Sequence, residues 1–176
     1  MTQIDDQSFN ELYDLYITKI YNFIYYRTHH KETAEDLTSK TFVKAWENLS
    51  KFDDEKGAFS SWIYSIARNN LIDHYRKEKG TSDIDQIINF SSSENIEHDT
   101  GLKLQLEQVE KYLKELPADQ RDIVIMRVWD DLSYKEIAAI LKKSEASCKM
   151  SFYRTMQKVQ THFPIAITLL LLIKAF

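Results

Sequence analysis

Two stretches of this chain place side chains where they could hold nucleic acid. Within residues 142–158 five bases (Lys142, Lys143, Lys149, Arg154 and Lys158) stand against Glu145 alone, with Ser144, Ser147 and Tyr153 among them. On one helix face such a set can neutralise phosphates and reach base edges. Between residues 52 and 76, Phe52, Phe59, Trp62, Tyr64 and Tyr75 are interleaved with Arg68, Asn69 and Arg76. Aromatic rings beside cations suit stacking on opened bases, worth about 1–3 kcal/mol per base. Each stretch also has a plainer reading. The first could be a helical hairpin with a solvated basic face, and the second could be core, since Trp62, Ile63 and Ile66 have helical spacing. Cys148 falls where the pattern wants an apolar residue and is expected to be a small buried hydrophobe. His29, His30, His74, His98 and His162 lack metal-ligand spacing, and no pair of acids marks a catalytic site. No metal, no cofactor and no enzymatic activity are therefore expected.

These side chains need helices to carry them. Ser8 and Glu11 read as a capping box opening a helix with Phe9, Leu12, Leu15, Tyr16, Ile20, Phe23 and Ile24 in period. A second period runs from Ala34 through Leu37, Thr41, Phe42, Ala45 and Trp46 to Leu49. Thr33 precedes it, and Glu35 and Asp36 sit in its first turn. Gly57 breaks the pattern after Asp53-Asp54-Glu55. A third helix is expected from about Ser60, ending at Arg76-Lys77-Glu78-Lys79-Gly80. Residues 81–100 lose periodicity and read as a linker. Helical spacing returns from Gly101 to Leu116, Pro117 punctuates it, and Ile123–Trp129 continues it. Ser133 and Glu136 form a second capping box before Ile137, Ala138, Ile140 and Leu141. Lys142-Lys143-Ser144 then breaks to a longer helix with Cys148, Phe152 and Val159 inward. Two helices joined by a tight turn, the second rich in basic and small polar residues, form a helix-turn-helix pattern.

The composition agrees. The chain has 176 residues, 28% charged and 43% hydrophobic, with three glycines, two prolines and one cysteine. That is poor for a turn-rich all-β protein, offers no phosphate-cradling glycine loop, and suits a reducing cytoplasm. The polar, acidic start (Met1 to Asp6) is not a signal peptide. A net charge of −4 argues at first against a nucleic-acid binder. Its distribution reverses that reading. Residues 1–80 hold 11 basic and 13 acidic side chains, residues 81–109 hold 1 and 6, and residues 110–176 hold 11 and 8. The deficit lies in the linker, and the last part is net positive. The fold class expected is all-α, with two small helical domains at 8–80 and 101–162, an acidic linker at 81–100, and a tail at 163–176.

The order of motifs is more specific than any one of them. Phe9-Asn-Glu-Leu-Tyr-Asp-Leu-Tyr16, Ala34-Glu-Asp-Leu37, Thr41-Phe-Val-Lys-Ala-Trp46, Phe52, Phe59-Ser-Ser-Trp-Ile-Tyr-Ser-Ile-Ala-Arg-Asn69 and Asp73-His-Tyr-Arg76 follow in turn. After the linker come Leu116-Pro117, Arg121 and Leu132-Ser-Tyr-Lys-Glu-Ile-Ala138. Over residues 8–160 the chain resembles the extracytoplasmic-function (ECF) sigma factors, which keep two helical domains, regions two and four. The resemblance implies docking on core RNA polymerase through Asp36, Leu37, Thr41, Phe42 and Trp46. It implies reading and melting of the minus-ten element by Phe52, Phe59, Trp62, Arg68, Asn69, Asp73 and Arg76. It places recognition of duplex DNA at the minus-thirty-five element on Ser144, Glu145, Ser147, Lys149, Tyr153, Arg154 and Lys158. It further implies an anti-sigma factor as regulatory partner, and an acidic linker threading toward basic polymerase channels. Two departures stand out: Lys142-Lys143 where the turn commonly carries Gly and an apolar residue, and Met150-Ser151 where a Ser-Arg pair is common.

Two rival readings exist: a stand-alone helix-turn-helix repressor dimerising through residues 8–79, and a helical adaptor at a membrane. The latter rests on the apolar run Ile165-Ala-Ile-Thr-Leu-Leu-Leu-Leu-Ile173. At about 1.5 Å per residue that run covers roughly half of a bilayer core. It is expected to fold onto the helical domains, enter an inhibitor protein or lie at a membrane interface; the alternative is a remnant or the start of a truncated anchor.

Overall fold

In the computed structural model, residues 6–79 and 115–162, together with Tyr112, are described. The expected linker, most of the expected helix from Gly101 to Leu116 and the apolar tail lie outside the described residues.

Three helices form the first unit: α1 (Asp6–Thr28), α2 (Lys31–Glu47) and α3 (Phe59–Lys79). Helix α1 already includes Asp6 and Gln7, so Ser8 lies inside it and the expected capping box at Ser8 does not open it. Helix α2 likewise starts before Thr33. His30 is its N-cap, and its ring accepts the Thr33 amide. The helices pack through Phe9, Ile20, Phe23 and Ile24 of α1, Ala34, Leu37, Phe42 and Ala45 of α2, and Phe59, Ile63, Ala67 and Leu71 of α3, all buried. The α3 set recurs every four residues, the spacing that lines one helix face. A buried polar side chain needs partners, and Asn70 has two. Asn70 donates to Thr41 Oγ1 at 3.0 Å and accepts from Lys44 Nζ at 2.6 Å, tying α2 to α3.

The second unit holds α4 (Ala118–Val128), α5 (Tyr134–Leu141) and α6 (Glu145–His162). Pro117 stands as N-cap of α4. Helix α5 opens on the expected capping box: the Glu136 amide donates to Ser133 Oγ at 3.2 Å, and the Ser133 amide donates to Glu136 Oε2 at 2.8 Å. It ends at Lys142 with φ 53° and ψ 45°, the left-handed conformation the missing glycine would have taken. Ile137, Ala138, Ile140 and Leu141 of α5 and Cys148 and Val159 of α6 are buried. Among the described residues no strand occurs.

The two units are in contact. Helix α3 lies against α5, and the buried apolar side chains of both units form one continuous cluster.

Candidate polymerase and nucleic-acid interfaces

Helix α2 divides its residues between core and solvent. Leu37, Thr41 and Phe42 are buried, whereas Asp36 and Trp46 are exposed, so only the latter two of the expected polymerase contacts present themselves. Asp36 is held by Lys40 at 3.2 Å. Trp46 meets Phe9 edge-on at 4.9 Å, and Phe42 meets Tyr13 at 4.7 Å. Tyr13 and Val43, 39% and 55% exposed, extend the same apolar surface. Sequence reading passed over both, although Val43 stands one heptad beyond Asp36 and so shares its face.

The loop before α3 and the start of that helix form an aromatic wall. Phe52, Phe59 and Trp62 pack mutually, with centroids 5.2–5.5 Å apart. Phe59 is buried, while Phe52 and Trp62 are half-buried. Phe52 and Trp62 border an open cleft of about 600 Å³, whose far side is Lys135, Glu136 and Ala139 of α5, and Phe59 backs them from the core. Asp53 on its rim is held below the usual carboxylate range chiefly by a hydrogen bond from Lys56. Further along α3, Asn69 is exposed, and Asp73 pairs with Arg76 at 2.9 Å near the surface. Arg68 is not free: Nη2 bonds Asp119 Oδ1 at 2.9 Å, and Nε lies 3.5 Å from Asp122 Oδ2.

Helix α6 presents the third set together. Ser144 immediately before it and Glu145, Ser147, Lys149, Tyr153, Arg154 and Lys158 on it are all exposed, opposite buried Cys148, Thr155 and Val159. Burial raises the Cys148 thiol above its ordinary value, which keeps it protonated and fits a packing role. A groove of about 880 Å³ runs along this helix past Met150, Arg154 and Lys158 to Gln120.

The side chains that sequence reading missed are those joining the units. Arg27, buried at the end of α1, pairs with Asp122, buried on α4. Asp119 bridges Arg68 and Lys143, the latter at 2.6 Å. Burial opposes ionisation of Asp119, but the Lys143 and Arg68 cations outweigh it and hold the carboxyl low. Ser60 donates to Glu136, and Tyr64 faces Asp130; burial and that carboxylate push the phenol far up. Arg121 is depressed to about 10 by burial and by Arg27, and stays charged at neutral pH. The available signal was spacing: Ser60, Tyr64 and Arg68 follow at intervals of four, a stripe of donors on one face of α3.

A three-helix unit with an exposed aromatic surface and an aromatic cleft, followed by a helix-turn-helix unit with a basic outer face, has the architecture of a bacterial transcription-initiation factor. The family model described as Sigma-70 region 2 matches residues 12–81, and the one described as Sigma-70, region 4 matches residues 106–159. The ECF RNA polymerase sigma factor SigM of Bacillus subtilis is 30% identical over 152 residues, covering 86% of this chain and 92% of that protein. The RNA polymerase sigma factor YlaC of the same organism is 31% identical, covering 84% and 87%. The fold is shared with the sigma factor RpoE of Bartonella quintana, solved with the anti-sigma factor NepR, at TM-score 0.71 and 24% identity over 90% of this chain and 98% of that one. It is shared also with CnrH, solved with the cytosolic domain of CnrY, at TM-score 0.66 and 19% identity over 89% and 88%. The chain belongs to the ECF family of RNA polymerase sigma factors, non-enzymatic DNA-binding factors that bring core RNA polymerase to promoters. The reading as a stand-alone repressor is not favoured.

Proposed function

We propose that this chain carries out promoter recognition through three separate surfaces and performs no covalent chemistry. The exposed part of α2, Asp36 and Trp46 with Val43 beside them, docks on core polymerase, while Leu37, Thr41 and Phe42 hold that surface in shape from the core. The cleft under Phe52, Phe59 and Trp62 receives a base opened from the duplex at the minus-ten element. Extruding a base costs a few kcal/mol, which stacking in an aromatic cleft can offset. Arg68, Asn69, Asp73 and Arg76 line the approach along α3. Helix α6 enters the major groove at the minus-thirty-five element, with Ser144, Glu145, Ser147 and Lys149 nearest the base edges and Tyr153, Arg154 and Lys158 toward the backbone.

The observation carrying this reading is the division of α6: one face of Cys148, Thr155 and Val159 buried, the other of basic and small polar groups exposed behind a tight turn. An anti-sigma factor is proposed as regulator, supported by the sigma factor RpoE of the same fold, solved with the anti-sigma factor NepR, and by CnrH, solved with the cytosolic domain of CnrY. The cytoplasm is the compartment proposed; among the described residues no helix is long and apolar enough to cross a membrane.

Run-off transcription with core polymerase tests the reading. The wild-type chain should co-purify with core polymerase and support initiation, and absence of both would sink the proposal. Arg154→Ala should weaken binding to minus-thirty-five duplex and lower the salt slope of log K by about 1, whereas Lys149→Ala should weaken binding and relax the sequence preference.

A further inference from the structure

The outer face of α6 carries one large side chain that phosphate neutralisation does not explain. Met150 is 49% exposed, two residues past buried Cys148 and so on the opposite side of the helix. Ala146 one turn before it, and Ser147, Tyr153 and Arg154 around it, are exposed as well. Tyr153 is tied along the helix, because the Gln157 amide donates to its hydroxyl at 2.9 Å. The groove that Met150 borders is lined by Arg154 and Lys158 and, among the described residues, by no carboxylate. A polyanion suits such a groove. An apolar protein partner would bury both cations without a counter-charge, at high cost.

We propose that Met150 is a specificity-determining residue, selecting thymine in the minus-thirty-five element by packing its side chain on the 5-methyl group of the base. The inference rests on the reading of α6 as the helix that enters the major groove. Met150 has one means of telling bases apart there. Its side chain has no donor and its sulfur is a weak acceptor, so the donor and acceptor code of the groove is closed to it. The thymine methyl is the apolar group displayed in that code. Cytosine in the same place lacks the methyl and brings an N4 amino donor that a thioether leaves unmet. The serine common at this point of the Ser-Arg pair would carry a hydroxyl able to bond more than one base. Methionine exchanges that tolerance for a contact depending on a single methyl group. Its unbranched, three-bond side chain can follow an irregular groove floor. Arg154 and Lys158 on the flank hold the phosphates and fix the register of the contact.

The test uses the full chain assembled with core RNA polymerase and a duplex library randomised over both promoter elements. In the minus-thirty-five duplex that wild type enriches, each thymine is replaced singly by deoxyuridine, which removes the methyl group and nothing else. At one position the replacement should weaken wild-type binding about fourfold, the worth of burying one such group. Met150→Ala should bind the unmodified duplex about fourfold more weakly and be indifferent to deoxyuridine at that position. Met150→Leu, which keeps an apolar chain, should retain the sensitivity. Met150 is exposed, so neither variant disturbs the core. Wild type indifferent to every deoxyuridine, or Met150→Ala as sensitive as wild type, overturns the inference and leaves the promoter reading in place. Enrichment of no minus-thirty-five sequence by wild type overturns the reading of α6, and the inference with it.

Discussion

At Lys142 a β-carbon occupies the left-handed region, φ 53° and ψ 45°, which glycine enters freely. Other residues pay about 1 kcal/mol there. Lys142→Gly should therefore raise stability by about 0.5–1 kcal/mol, read as a higher urea midpoint at unchanged slope. Asp119 makes the second prediction at this scale. Its carboxyl is held low because Lys143 and Arg68 outweigh the cost of burial. A depressed carboxylate contributes stability fully above its unfolded value of about 3.9 and loses it as pH falls through the lower folded value. Thermal melts should thus show a loss of stability below about pH 4 that is shallower in Asp119→Asn. An equal acid slope in both proteins would mean that Asp119 is not coupled to folding. Both effects depend on a few neighbouring atoms. The unusual turn residue was visible in the sequence, but the partners of Asp119, 24 and 51 residues away in the chain, were not.

Helices were legible where chemistry local to the chain determines them. The Ser133–Glu136 box needs only residues three apart, and it is formed in both directions. Ser133→Ala should cost about 1 kcal/mol, measured by urea denaturation. A negligible cost would mean that the second unit's packing holds α5 without its cap. At Ser8 the same four-residue pattern lies inside a helix, because the helix already includes the residues before it. At α2 the cap is His30, whose ring accepts the Thr33 amide. The pattern S-x-x-E states that a cap can form; where the first turn begins depends on what precedes it. Periodicity likewise separated Leu37 and Cys148 as inward, but could not tell that Tyr13 and Val43 would remain uncovered.

Across the whole molecule, buried charge joins the units. Arg27 and Asp122, with side chains 3% and 1% exposed, pair across 95 residues of sequence. Removing one partner of a buried pair costs about 3–5 kcal/mol, because the other is left uncompensated. Here Arg68 Nε still lies 3.5 Å from Asp122. Arg27→Met should therefore cost about 3 kcal/mol, the low end of that range, in urea denaturation monitored by circular dichroism. A cost under about 1 kcal/mol would indicate that water reaches Asp122 and that the pair adds little.

The sequence by itself determined the helical class, the order of motifs and the outward basic face of α6. Those follow from hydrophobic period, capping chemistry and motif spacing, all short-range properties of the chain. It also showed that the net charge of −4 is compatible with DNA binding, because the main excess of acid over base, six against one, lies between residues 81 and 109. Only the tertiary structure decided what Arg68 touches. Read along the chain it is a cation on a DNA-facing helix; in the fold it is claimed by Asp119 and Asp122. An ion pair between residues more than fifty positions apart leaves no periodic mark on either helix, since it is set by how two finished helical units meet.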